Sequence, residues 1–210
     1  MIEHIHWLGH ASFRIEGPPC IYIDPWRIPD GAPPADVILI SHEHYDHCSV
    51  RDIEKLSQPH TRIITGIGAA RLLRREFDVE VLRAWQSVNV DQANIKALPA
   101  YTFDEYHPPH RGDVGFMISM RFYDIYYAGD TDFIPELARL GCDVAILPVS
   151  GKEGTMTIDA AKQLVRAMRP SYVIPSHYGS VDGGTKLDAK ALETALQDEV
   201  KFLWREALTP

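Results

Sequence analysis

The run Val37-Ile38-Leu39-Ile40-Ser41, followed at once by His42-Glu43-His44-Tyr45-Asp46-His47, constrains this chain more than any other stretch. The first five residues have the brevity and branched-chain content of a buried strand. Four metal-ligating side chains therefore sit where that strand leaves the interior. Imidazole nitrogen and carboxylate oxygen are the donors that zinc, iron and manganese sites use. Four such groups in six residues crowd a single ion. In an extended stretch His42 and His44 point the same way, and a turn after them swings Asp46 and His47 towards a second ion. The spacing thus points to two adjacent divalent metals, with zinc expected and manganese or iron as alternatives. A solvated turn is the plain alternative, but chance rarely assembles this pattern. A metalloprotease H-E-x-x-H is absent, because Asp46 stands where its second histidine belongs.

Other strands are expected at Ile5–Trp7, Ser12–Glu16, Cys20–Ile23, Arg62–Thr65, Val79–Leu82 and Asn94–Pro99. A second series follows at Val114–Met120, Ile125–Tyr127, Val144–Leu147, Tyr172–Pro175 and Lys201–Leu203. Helices are expected from a Ser49 cap to Leu56, over Ala69–Glu76, from Thr157 to a stop at Pro170, and over Asp188–Leu196, with a short helical turn capped by Asp132. In the third helix Ile158, Ala161, Leu164, Val165 and Met168 share one face. Strands followed by helix–strand alternation, twice over, fit an α/β four-layer αββα sandwich; a single open sheet with helices on both faces fits nearly as well. No linker divides the chain, so one domain spanning 1–210 is expected.

Composition narrows the partners. A formal net charge of −8 argues against a nucleic-acid partner, since phosphate recognition draws on a basic surface. Cys20, Cys48 and Cys142 are too few and scattered for a disulfide framework, and reduced thiols fit a cytoplasmic protein. No apolar run reaches the length of a membrane span.

His42-x-His44-x-Asp46-His47 after a buried strand resembles the signature of the metallo-β-lactamase superfamily. Trp7-Leu8-Gly9-His10-Ala11-Ser12-Phe13 and Ile23-Asp24-Pro25-Trp26 resemble its branch of ascorbate-phosphate lactonase-like and N-acyl-phosphatidylethanolamine phospholipase-like proteins. Ala128-Gly129-Asp130-Thr131-Asp132 and Pro175-Ser176-His177-Tyr178-Gly179 fit the later motifs in order. The resemblance implies the four-layer sandwich and assigns Asp130 as the carboxylate bridging both metals, where Asp132 is the weaker choice. It also implies His177 as a ligand of the second metal beside Asp46 and His47. For the third ligand of the first metal, beside His42 and His44, it points to His107, with His110 as the alternative ligand or a substrate contact. Asp24 and His10 are candidates for supporting the ligands from behind, with turn capping and ordinary hydrogen bonding as their plain alternatives.

These residues predict a hydrolase in which a metal-activated hydroxide cleaves a small ester, lactone or phosphodiester bond. Asp46 and Asp130 are its catalytic carboxylates, and Tyr178 or His110 is a candidate to assist the leaving group. The rivals are a di-iron redox protein, a non-catalytic metal-binding protein on the same fold, and an RNA-processing nuclease, which would be expected to carry a basic arm. A serine hydrolase is disfavoured because Pro148-Val149-Ser150-Gly151 lacks the G-x-S-x-G elbow. Gly183-Gly184 reads as a surface turn or a lid.

Overall fold

The structure is a computed structural model that describes residues 1–149, 151, 154–179 and 183–206. One sheet contains β1 (Ile5–Gly9), β2 (Ser12–Ile15), β3 (Ile21–Ile23), β4 (Val37–Ile40), β5 (Arg62–Thr65) and β6 (Val79–Val81). The other contains β7 (Ser87–Val90), β8 (Ala93–Pro99), β9 (Val114–Met120), β10 (Tyr123–Tyr127), β11 (Val144–Pro148), β12 (Tyr172–Ser176) and β13 (Lys201–Phe202). Each sheet begins with antiparallel pairs and continues with parallel ones, β3 to β6 in the first and β10 to β13 in the second. Two separate sheets exclude the single open sheet.

The alternation of side chains along β4 shows how the layers are made. Val37 and Leu39 join the core shared by both sheets, where Phe13 meets Tyr127 edge-on at 6.2 Å. Ile38 and Ile40 face the other way, onto Ile53 and Leu56 of α1 (Val50–Leu56) and Ala69, Ala70 and Leu73 of α2 (Ile67–Leu73). A strand buried on both faces needs this unbroken apolar run. On the second sheet α3 (Ile158–Met168) and α4 (Lys186–Leu196) form the outer layer. The predicted α3 face is buried at Ala161, Leu164, Val165 and Met168, with Thr157 capping its start.

Several boundaries differ from the sequence expectation. β7 was not expected, because Ser87-Val88-Asn89-Val90 is an edge strand with two exposed polar residues; its pairing with β8 defines it. α2 begins at Ile67 because Gly66 can pass close to the Gly112 carbonyl, where a side chain would collide. α4 begins two residues earlier than expected, where Thr185 and Asp188 form a capping box. Asp132 caps no helix: the turn at Pro135–Arg139 follows Ile134, and the Asp132 carboxylate accepts from Phe103 N at 3.2 Å.

The strand directions decide where chemistry can sit. In the first sheet β1, β3 and β4 run the same way, and in the second β8, β10 and β12 do. Just beyond the carboxyl ends of these strands lie His10, Asp24, His42, the loop to His107, Asp130 and His177. Backbone groups freed at strand ends leave a crevice there, which α/β proteins commonly use for ligands.

Candidate metal centre

Leaving a strand sharply strains the backbone, and the crevice shows it. His10, Asp24 and His177 adopt left-handed φ values of 51°, 43° and 58°, which cost non-glycine residues energy and collect at functional sites. Before Asp130 the same bend falls on Gly129, φ 66°, whose added Cβ would lie 3.2 Å from Ser41 Cβ.

These bends bring the side chains together. Donor atoms of His42, His44 and His107 lie within 4.8 Å of one another, as do those of His10, Asp46, His47 and His177. Asp130 stands between the groups. Its Oδ2 is 4.0 Å from His42 Nε2, 3.9 Å from His107 Nε2, 3.5 Å from His47 Nε2 and 3.2 Å from His177 Nε2. Asp46 Oδ2 is 3.8 Å from His47 Nε2 and 3.9 Å from His177 Nε2. The grouping parallels the two half-sites expected from the sequence, with His107 beside His42 and His44. His110 is exposed and joins no such group among the described residues.

The inward nitrogens of His42, His47 and His107 are buried and have no hydrogen-bond partner, although Asp130 is close to all three. An orphaned buried polar atom costs about 1–3 kcal/mol, so three facing one carboxylate are a poor arrangement for protein alone. They fit a divalent cation, which takes neutral imidazole lone pairs and carboxylate oxygens together.

The outer nitrogens are held. His47 Nδ1 donates to Asp24 Oδ2 at 2.8 Å, and His107 Nδ1 to Asp113 Oδ2 at 3.1 Å. Ser41 Oγ donates to Asp24 Oδ2 at 2.5 Å, so its lone pair is left to accept from His42 Nδ1 at 2.9 Å. Asp24 also accepts from Ser41 N at 2.7 Å and from the Tyr127 hydroxyl at 2.6 Å. One fully buried carboxylate thus orients two imidazoles, and a second orients another. A proton held on Nδ1 leaves the Nε2 lone pair pointing inward, as metal-bound histidines require.

His10 donates from Nε2 to Asp46 Oδ2 at 2.8 Å and lies 4.1 Å, ring to ring, from His177. It is more deeply part of the cluster than a residue lining the site. Asp24 stands behind His47, accepting from its Nδ1. Tyr178, one candidate to assist a leaving group, is buried and stacks on Trp7 at 4.6 Å, which makes it a packing residue. Gly183 folds back onto the site: an added Cβ would lie 2.9 Å from the His177 carbonyl and 3.1 Å from the His10 ring. Gly154 packs against the His107 ring, where any side chain would clash. Ser150 lies outside the described residues.

Charge follows the geometry. Burial, and then the neighbouring His47, push His42 well below the usual imidazole range. Burial and His107 lower His44. Burial opposes charge on His47 too, but Asp130, Asp24 and Asp46 outweigh it and raise this imidazole to about 9. Burial works against ionised Asp46 and Asp130. The His10 hydrogen bond and the His47 charge nevertheless hold Asp46 at about 2, and His177 and His47 hold Asp130 well below the carboxylate range. The carboxylates therefore stay anionic and draw a proton onto His47 in the metal-free chain, a proton that a bound cation would displace to free its Nε2 lone pair.

Asp113, Ser41 and Tyr127 escaped sequence reasoning. Asp113 follows the turn residue Gly112, and Tyr127 lies in an apolar strand that looked like core. Only Ser41, adjacent to His42, carried a usable signal.

Comparison with known proteins agrees with this geometry. A beta-lactamase superfamily domain profile matches residues 4–177. A UPF0173 metal-dependent hydrolase of Thermoplasma acidophilum is 30% identical over 193 residues, spanning 85% of this chain and 84% of that protein. A crystal structure from Parabacteroides distasonis, also named for metal-dependent hydrolysis, has a TM-score of 0.85 at 31% identity, covering 98% of this chain and 93% of that one. CmlA, a diiron beta-hydroxylase of Streptomyces venezuelae, shares the fold at TM-score 0.76 and 16% identity, covering 96% of this chain and 52% of that one.

Proposed function

This chain belongs to the metallo-β-lactamase superfamily, and we propose that, like the relatives named for metal-dependent hydrolysis, it is a metal-dependent hydrolase that holds two divalent ions, zinc in the first place. We further propose that it cleaves an ester, lactone or phosphodiester bond of a small molecule. The observation that carries this reading is the set of buried, unpartnered Nε2 atoms of His42, His47 and His107 around Asp130. His42, His44 and His107 would hold one ion and Asp46, His47 and His177 the other, with Asp130 close to both groups. Bound there, the ions supply Lewis acidity, which lowers the pKa of a coordinated water and polarises the attacked oxygen.

The chain's own residues do the rest. Asp24 and Ser41 keep His42 and His47 turned inward, and Asp113 does the same for His107. The His10 hydrogen bond fixes Asp46, whose carboxylate stays ionised and would help to orient a water. The reading includes a cytoplasmic setting, in keeping with the free Cys20, Cys48 and Cys142, and no nucleic-acid partner. No helix among the described residues is long and apolar enough to cross a membrane.

Elemental analysis of purified protein should find two divalent ions per chain, and Asp130→Ala should lose metal together with turnover of ester, lactone or phosphodiester substrates. Unchanged activity in Asp130→Ala would sink the scheme. Two irons with visible absorbance and no hydrolysis would favour the redox chemistry that CmlA performs on this fold.

A further inference from the structure

Resting on the hydrolytic reading above, we infer that the substrate presents an uncharged apolar acyl or aryl group to an aromatic rim around the metal centre. Tyr45, between His44 and Asp46, is 60% exposed; Phe103 and Tyr106, on the loop that ends at His107, are 73% and 52% exposed. Trp26, half-buried, meets Tyr45 edge-on at 6.0 Å and His10 at 5.2 Å. Single exposed apolar residues are ordinary on any surface. Here large aromatic faces gather on the segments that carry the candidate ligands, and apolar walls with a few polar groups are the usual make-up of a small-molecule site.

The rim is held in shape before any substrate arrives. Phe103 N donates to Asp132 at 3.2 Å, Tyr106 N to Asp104 at 2.9 Å, and Arg111 Nη1 to the Tyr106 carbonyl at 3.1 Å. Rings fixed through their backbones offer contact area at little entropic cost. The Trp26 ring is likewise covered on one side by the Arg27 guanidinium, 4.0 Å from its centre.

Charge at the rim selects against a phosphodiester. Glu43, Asp104 and Glu105 are exposed there. The Arg111 guanidinium is taken up by Glu43 and Asp113, each at 3.2 Å. Arg27, over Trp26, is one exposed cation against these three carboxylates, so an anionic substrate gains less at the rim than a neutral ester or lactone with an apolar arm.

The test uses the metal-loaded full chain and a series of p-nitrophenyl esters from acetate to octanoate, with bis(p-nitrophenyl) phosphate alongside. A fully buried methylene strengthens binding about fourfold, so a rim open on one side should raise kcat/KM about twofold per added methylene. Tyr45→Ala and Phe103→Ala should flatten that dependence. Phe122→Ala, on a fully exposed turn of the β9–β10 hairpin, should leave it as it was. A second readout needs no turnover: the neutral octanamide, but not acetamide, should change tryptophan fluorescence in wild type, and less so in Tyr45→Ala. Turnover that ignores chain length, with no octanamide binding, overturns the inference and leaves the hydrolase reading standing. Octanamide binding that Tyr45→Ala weakens, with no ester hydrolysed, upholds the rim and overturns the ester reading. Faster turnover of the phosphodiester than of every ester overturns the inference.

Discussion

Asp113 offers the sharpest test of how the centre is built. Its carboxylate is buried, holds His107 Nδ1 at 3.1 Å and receives the Arg111 guanidinium at 3.2 Å. Asp113→Asn keeps an acceptor oxygen of the same shape and removes only the charge, while Asp113→Ala removes both. Loss of such a partner behind a metal-bound histidine typically weakens metal affinity 10- to 100-fold, or about 1.4–2.8 kcal/mol at 1.4 kcal/mol per tenfold. Asp113→Asn should fall near the lower bound and Asp113→Ala near the upper. Because Asp113 touches only His107 of the proposed ligands, one of the two ions should weaken and the other hold. Titration of metal-free protein against a chromogenic chelator would resolve the two steps, with His110→Ala as a control that binds both ions normally. Two tight ions in Asp113→Ala would refute the argument, because His107 would then need no partner to serve as a ligand. Weakened binding in His110→Ala with none in His107→Ala would move the third ligand to the exposed histidine.

Asp24→Ala should be far more damaging to stability, since Ser41 N, Ser41 Oγ and His47 Nδ1 lose their buried acceptor, while the Tyr127 hydroxyl keeps the Ala11 carbonyl. At about 1–3 kcal/mol for each stranded donor, urea denaturation should show a loss of at least ~3 kcal/mol, and a loss under ~1 kcal/mol would contradict the role drawn for this carboxylate. The thiols give a pH prediction. Burial pushes Cys20 up to about 11, and Cys48 and Cys142 up to about 12. Near pH 8 each is overwhelmingly the unreactive thiol, so iodoacetamide should label all three only after unfolding, as mass spectrometry would show; rapid labelling of Cys142 in folded protein would contradict the packing around it.

Much of the centre was legible in the sequence because its residues carry their chemistry locally. His42, His44, Asp46 and His47 are adjacent in the chain, and a buried strand that ends in four ligands signals a metal site before anything else about the fold is settled. The α3 face and its Thr157 cap were equally legible, since period and cap are properties of one segment. β7 was not, because an edge strand with exposed Ser87 and Asn89 gains its identity only from pairing with β8. The Asp132 cap failed for a related reason: its carboxylate found the Phe103 backbone, a partner 29 positions away that no local pattern announces.

The sequence by itself determined the run of candidate ligands after β4, the alternation of strands and helices, and the donor chemistry that a metal would meet there. Tertiary structure decided that there are two sheets, that His107 lies in the cluster and His110 outside it, and that His10 holds Asp46. It alone showed Asp24 holding His47 directly and His42 through Ser41, and Asp113 holding His107. The physical reason is that a side chain's type travels with the chain, whereas its role as a partner depends on distance. Distances across two sheets are set by how strands pair and which way they run, and residues far apart in sequence meet only after both are settled.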